Sequence, residues 1–329
     1  MAWVPFIGSS SDWDSLVYEL GSTSPFSYAA LADSRSGGKW MVTRLVDLKE
    51  DRPVAAAQVL SVNLLGLLTL CWIPGGPCSA TTIDAHRFLR SLSDHFGSRF
   101  VYCRFSLHQA FNKVGADSLR RDGWHQTRST IGAKETFTIE QRGVVLADTT
   151  RLSANWARNL RRGHQRDNLV SIWSEPNAIE IHKLYDQLAE YKKSKGPRDI
   201  PSIDYLHRLF ANSRNNLVCV QVRNPEGELI AMRAAMVSGS SAWDLLAAAN
   251  EAGRKSYASY VCAWKLIELL DERGADHFDL AGIDQEENEG VFNFKKGLGG
   301  TRIQYLGEWE ASRPSFLRLM TGLLISRLR

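Results

Sequence analysis

The sequence predicts a mixed α/β (α+β) protein made of two domains, and three observations carry that expectation. Its 329 residues exceed what one ordinary core organises. An apolar fraction of 44% beside 23% charged residues is that of a folded globular chain. Period-two apolar runs alternate with helical-period segments in both halves, so neither half is all-α or all-β.

In the first half, Ser9–Ser11 offer caps for a helix over Trp13–Leu20. Strands are expected at Lys39–Asp47, Val54–Ser61 and Leu67–Ile73, before Pro74-Gly75-Gly76-Pro77 breaks the sheet. The run Ala55–Ile73 approaches a bilayer span in length. Gln58, Ser61 and Asn63 interrupt it, and Gly66 suggests two buried strands joined by a tight turn. A helix over Thr82–Phe96, with Ile83, Phe88, Leu89 and Leu92 inward, precedes strands at Phe100–Phe105 and Glu135–Ile139.

After residue 150 a long polar helix is expected over Leu152–Arg166, then a strand at Leu169–Trp173. Ala178–Lys193 reads as an amphipathic helix with Ile179, Ile181, Leu184 and Leu188 inward. A basic loop at Ser194–Pro201 and a helix at Ile203–Phe210 follow. Leu217–Val222, Glu228–Val237 and Ala242–Ala248 are three successive strands. A helix over Ser256–Arg273, ended by Gly274, leads to a strand at His277–Ala281. Three antiparallel strands, a helix and a strand is the order of a GNAT-type acyltransferase half-barrel, although other α+β folds share it.

Lys+Arg 40 against Asp+Glu 36 gives a net charge of +4, which permits an anionic partner without demanding one. The five cysteines (Cys71, Cys78, Cys103, Cys219, Cys262) are odd in number and show no C-x-x-C pair. That argues against a disulfide framework or zinc site and for a reducing, cytoplasmic setting. The eight histidines show no ligand spacing, so no metal is expected. The opening residues lack the basic region and continuous apolar core of a signal peptide.

The densest chemical signal runs from Phe278 to Glu310. A strand ends in Asp279-Leu280-Ala281-Gly282, and an acidic loop (Asp284, Glu286, Glu287, Glu289) leads to Phe292-Asn293-Phe294-Lys295-Lys296-Gly297-Leu298-Gly299-Gly300. A lysine between an aromatic residue and glycines can be aimed at developing negative charge, and glycines let backbone N–H groups approach an anion. The same residues also describe a solvated loop and hairpin. Asp279, Asp284 and Glu289 are possible proton acceptors, with solubility and turn formation as the plainer roles. No Ser-His-Asp or Cys-His pattern stands out. Arg158, Arg162 and Arg166 recur every four residues, with Arg161 close by. Such a stripe suits phosphates or is a solvated face. Arg254 and Lys296 are further donor-side cations; the Asn250–Lys255 segment lacks the Gly-x-Gly of a coenzyme A loop. Trp243, Trp264 and Trp309 read as core.

The run FDLAGID, an acidic spacer and EGVFNFKKGLGG resembles the signature of the Fem-type aminoacyltransferases, which build peptidoglycan interpeptide bridges. SPFSYAALADSRSGGKW, WIPGGP, LSANWARNLRRGHQRDNLV and WDLLAAANEAGRKSYASYVCAWKLIELLDERG resemble further family segments. The resemblance implies two tandem GNAT-like domains. The acceptor-side domain covers 1–148 plus 312–329, with the C-terminal helix packing back on it, and the donor or catalytic domain covers 149–311. It implies transfer of an amino acid from aminoacyl-tRNA to an amine, with no bound cofactor. Lys295, preceded by Phe294, falls at the position that stabilises charge. Acceptor contacts fall at Arg35, Arg198, Tyr205 and Leu246.

Departures at Leu245, Leu246, Ser259 and Ala281 weigh against a peptidoglycan acceptor and towards a small peptide or antibiotic-like metabolite. The alternatives are an acyl-CoA-dependent N-acyltransferase using acetyl-CoA on an amino sugar or small amine, and a non-catalytic tRNA- or glycan-binding protein. A monomer that binds no DNA is expected. The tail PSFLRLMTGLLISRLR is expected to pack on the first domain, with peripheral membrane contact as its second possible role.

Overall fold

The computed structural model describes residues 3–36, 39–79, 83–140, 146–191 and 200–318. The chain divides into two compact units, Met1–Lys134 with Ile303–Arg329, and Glu135–Arg302.

The first unit runs β1 (Trp3–Pro5), α1 (Ser10–Glu19), α2 (Ala29–Arg35), β2 (Met41–Lys49), β3 (Arg52–Leu64), β4 (Leu68–Ile73), β5 (Cys78–Ser79), α3 (Ala85–Phe96), β6 (Phe100–Ala110), α4 (Lys113–Arg121) and β7 (His125–Gln126). It is completed by most of β14 (Thr301–Arg313). Ser9 and Asp12 form a reciprocal capping box that starts α1. The apolar run at 55–73 forms two strands, β3 and β4, whose register closes at Leu64 opposite Leu68. Asp84 caps α3, which buries Phe88, Leu89 and Leu92 and ends at the left-handed Gly97. The sheet order is β1-β2-β3-β4-β6-β14, with β4 and β6 parallel.

The second unit comprises β8 (Glu135–Glu140), α5 (Ala154–His164), β9 (Leu169–Ile172), α6 (Ala178–Tyr191), α7 (Ile203–Asn212), β10 (Leu217–Arg223), β11 (Leu229–Ser238), β12 (Ser241–Ala249), α8 (Glu251–Lys255), α9 (Ala258–Glu272), β13 (His277–Gly282) and α10 (Glu289–Gly297). Its order is β8-β13-β12-β11-β10-β9, and β12 pairs β13 in parallel. Both units therefore repeat one plan: three antiparallel strands, a helix, a strand parallel to the third, and an antiparallel closing strand.

The unit boundaries fall earlier than the expected 148/149 and 311/312. Glu135–Glu140 pairs with β13 of the second unit, and Tyr305–Arg313 pairs with β6 of the first. Three local expectations are also corrected. Ile179 is 60% exposed while Ile181 and Leu184 are buried, because residues two apart on a helix face different ways. Arg166 lies beyond the end of α5 at His164, so it is not part of a helical stripe. Lys295 sits on a helix rather than in a loop: Glu289 opens α10 and Lys295 and Lys296 close it, matching the helix dipole at both ends. The C-terminal segment 319–329 lies outside the described residues.

Gly297 at the end of α10 and Gly299 beyond it are required by close packing. A Cβ on Gly297 would sit 2.8 Å from the Trp156 ring, and one on Gly299 (φ +78°) would sit 2.1 Å from the Arg151 carbonyl oxygen. Gly299→Ala should therefore destabilise the protein by roughly 2 kcal/mol or more. Gly290, inside α10 with open space around it, gives the control. Gly290→Ala should be neutral or stabilising by about 0.5–1 kcal/mol. Denaturant unfolding of the two variants checks both expectations.

Candidate active site

In the second unit β12 and β13 pair only over Ser241–Trp243 against His277–Asp279. Pairing with β12 ends at Asp279, while along its other edge β13 stays paired with β8 from His277 to Gly282, with a register shift between Asp279 and Gly282. This opens a gap at the carboxyl ends of two parallel strands, a place where backbone groups are released from strand pairing. In the first unit β4 and β6 stay paired along Leu68–Ile73 against Phe100–Phe105.

Lys295 reaches this break from α10. The side chain is buried, and Nζ donates to the carbonyl oxygens of Gly282 at 3.0 Å and Ala281 at 3.3 Å. An ammonium carries three donors, so one stays available to a reactant. Burial pulls its pKa down to about 8, Asp244 and Asp279 push it back up, and Arg233 pushes it down further.

The backbone that Lys295 grips is strained. Ala281 has φ +59°, a left-handed value unfavourable for a residue with a Cβ. Asp279 holds it: its buried carboxylate accepts the Ala281 N–H at 2.7 Å and the Thr136 hydroxyl at 2.7 Å. The Thr136 hydroxyl also reaches the Ala281 carbonyl at 2.9 Å. Asp279 is therefore built into the turn that shapes the gap.

A buried ion pair stands beside the lysine. Arg233 Nε donates to Asp244 Oδ1 at 2.9 Å, and Nη2 donates to Oδ2 in a two-pronged contact. A β-bulge at Leu245 creates this pair. The register jumps from Ala234 opposite Leu246 to Ala235 opposite Asp244, which brings Asp244 onto the face that carries Arg233. The guanidinium carbon lies 5.2 Å from the centre of the Phe294 ring, which packs against Tyr260 at 5.1 Å and Trp156 at 5.7 Å. Phe294 is thereby fixed, and with it the turn of α10 that carries Lys295. From α6, the Tyr185 hydroxyl accepts the Ala247 N–H at 3.0 Å, and burial raises its pKa.

Several expected site residues take other places. Leu246 is buried opposite Ala234, on the sheet face away from Arg233 and Asp244. Tyr205 lies near enough to Tyr185 to influence it electrostatically. Asp284 accepts the N–H groups of Glu286 and Glu287 and so forms a turn, while Glu289 is an exposed first-turn residue of α10. Lys296 points to solvent, away from its buried neighbour. Arg158 bonds Asn155 within α5, Arg162 donates to the Tyr257 hydroxyl at 3.2 Å, and Arg161 and Arg166 are exposed. Arg254 is half-buried in α8. Arg35 belongs to the first unit, where its guanidinium lies 5.2 Å from the Trp72 ring. Arg198 lies outside the described residues. Trp243, Trp264 and Trp309 are buried core residues.

Arg233, Asp244 and Tyr185 went unrecognised in the sequence. Their signal was present for two of them: a lone arginine in the apolar run LIAMRAAMVS and a lone aspartate in SAWDLLAAA. Single charges of opposite sign in adjacent buried strands must find each other or be neutralised.

The lysine's lowered pKa has a consequence for stability. The unfolded chain binds more protons than the folded one between about pH 8 and the ordinary lysine value of 10.5, so stability should rise with pH across that window. The burden is full below pH 8. Lys295→Met should be more stable than the parent at pH 7 by roughly 1–3 kcal/mol, and the gap should shrink towards pH 10.5. Chemical denaturation at the two pH values checks the sign.

Residues 151–296 match the family model of an acetyltransferase (GNAT) domain. No curated protein sequence matches the chain. Among solved structures the chain is similar to FemX, with a TM-score of 0.77, 14% identity, and coverage of 99% of this chain and 100% of that one. It is also similar to L-PGS from Bacillus licheniformis, at a TM-score of 0.61 and 15% identity over 96% of both chains. A tandem GNAT protein from the clavulanic acid biosynthesis pathway gives 0.59 and 11% over 94% of this chain and 98% of that one. The chain has the Fem-like tandem GNAT fold, with its open strand pair in the second repeat.

Proposed function

We propose that the protein is an acyltransferase that moves an aminoacyl group from aminoacyl-tRNA to an amine. One observation carries the reading: a buried lysine, held by two backbone carbonyls at the open strand pair, keeps a donor to offer. An aminoacyl ester is already activated, so a neutral amine attacks its carbonyl carbon without help from a protein nucleophile. The carbon–nitrogen bond forms, the ester carbon–oxygen bond breaks, and the amine proton passes to the departing ribose oxygen. Lys295 stabilises the negative charge that develops on the carbonyl oxygen or the leaving oxygen. Phe294, Arg233 and Asp244 keep it in position.

The acceptor in this reading is a small peptide or antibiotic-like metabolite, or else a peptidoglycan precursor. The likeness to FemX supports the aminoacyl chemistry. L-PGS and the C-terminal domain of a putative lysylphosphatidylglycerol synthetase share this fold. The match to an acetyltransferase domain favours a second reading, with acetyl-CoA as donor. Against it stands Tyr185, whose hydroxyl already takes the Ala247 N–H on β12, where an extended donor arm would otherwise pair.

A transfer assay with labelled aminoacyl-tRNAs, with and without ribonuclease and beside an acetyl-CoA control, tests the proposal. Ribonuclease should abolish transfer; transfer that survives it and needs acetyl-CoA establishes the other donor. Lys295→Met should cut turnover at least about a hundredfold, and turnover in the parent should fall as pH rises through about 8, where the ammonium loses its proton. For the exposed arginines of α5, Arg158→Ala with Arg161→Ala should weaken tRNA binding and lower its salt slope by about 1–2. An unchanged slope would make them a solvated face.

A further inference from the structure

The β3–β4 hairpin of the first unit ends in Leu64-Leu65-Gly66-Leu67. Leu65 is 95% exposed, Leu67 57% and Leu64 37%. Leu65 (φ +54°) and Gly66 (φ +69°) both adopt left-handed backbone values, and the Gly66 N–H closes the turn on Asn63 Oδ1 at 2.8 Å. Leu67 N–H donates to the Leu64 carbonyl at 3.1 Å, and a β-turn with positive φ at both central residues favours asparagine, aspartate and glycine there. Leucine there costs backbone energy, and with its side chain in water it recovers nothing from packing. The same unit supplies its own comparison. The β2–β3 turn takes positive φ at Glu50 (+51°) and Asp51 (+59°), both hydrophilic. Folding alone gives no reason for three leucines at the second tip.

The surroundings of the tip are specific. Phe100 N–H donates to the Leu67 carbonyl at 3.0 Å, so Ser98-Arg99-Phe100 lies alongside the tip. On the other flank Met41 pairs with Ser61, which places Lys39 and Trp40 beside the upper end of β3. Across residues 39–41, 61–68 and 98–100 the charged side chains are Lys39 and Arg99, both exposed, with no acid among them. Trp40 is half-buried, its ring 6.0 Å from that of Trp72.

We infer that this tip is a membrane-contact element: Leu64, Leu65 and Leu67 enter the headgroup–acyl boundary of a bilayer containing anionic lipid, and Lys39 and Arg99 meet its phosphates. A projecting turn presents no groove to a peptide. Three leucines on it fall far short of the roughly 800 Å² per partner that a stable protein complex buries. Exposed apolar tips flanked by cations and an aromatic residue match the chemistry of an interface between lipid and water.

The test is co-sedimentation of the full chain with vesicles of phosphatidylcholine alone or mixed with phosphatidylglycerol. The readout is independent of any transfer reaction. The parent should bind the mixed vesicles and bind the neutral ones more weakly. Leu65→Asn with Leu67→Ser should reduce partitioning at least about tenfold. Its melting temperature should not fall, since asparagine suits the turn. Lys39→Ala with Arg99→Ala, or added salt, should weaken binding to the mixed vesicles. Failure of the parent to bind the mixed vesicles overturns the inference, as does unchanged partitioning of the leucine variant. A parent dimer that the leucine variant loses, without vesicle binding, would assign the tip to a second copy of the chain instead.

Discussion

The separation of β13 from β12 after Asp279 is the constraint on which the second unit's chemistry depends. Two parallel strands that stayed paired would leave neither an opening nor free carbonyls for a lysine. The break is maintained by a buried carboxylate that satisfies the N–H of a left-handed alanine and a threonine hydroxyl together. The strain at Ala281 is thus over-determined by its neighbours, and it sits where Lys295 binds. In the first unit the corresponding strands remain paired, and the nearby charges are consumed internally. Arg104 is fully buried against Glu308, which also accepts the N–H groups of Ile131 and Gly132.

Lys295 is an expensive residue for the fold. It is buried, its proton affinity is lowered, and a positive neighbour lowers it further. What keeps it charged at neutral pH is a set of fixed dipoles and carboxylates arranged before any reactant arrives. That arrangement is the kind that stabilises developing negative charge without reorganisation. The Arg233–Asp244 pair adds no net charge. It locks Phe294 through the guanidinium and supplies the carboxylate that partly offsets the lysine's desolvation.

Much of this was legible in the residues. Strand and helix order emerged from apolar periodicity, since a helix such as α3 and a hairpin such as β3–β4 carry their caps and turn residues locally. Lys295 beside Phe294 stands out both by residue type and spacing and by resemblance, and the geometry shows what holds it. What was not legible depended on register. A bulge at Leu245 changes which side chains share a face, so Asp244 comes to the side of Arg233 while Leu246 faces the other way. In the sequence α10 reads as a loop because it carries Gly290 and Gly297 near its two ends, and glycine is a poor helix former. Its dipole-matched ends and its packing on α5 outweigh that propensity.

The discontinuity of the first unit has a bearing on how the chain comes to be folded. A ribosome makes Trp3–Lys134 first, yet the strand that finishes that sheet, β14, comes after every residue of the second unit. During synthesis the early unit waits with the open edge of β6 exposed, while the later one has all its own strands to hand. The half that is born first is completed last.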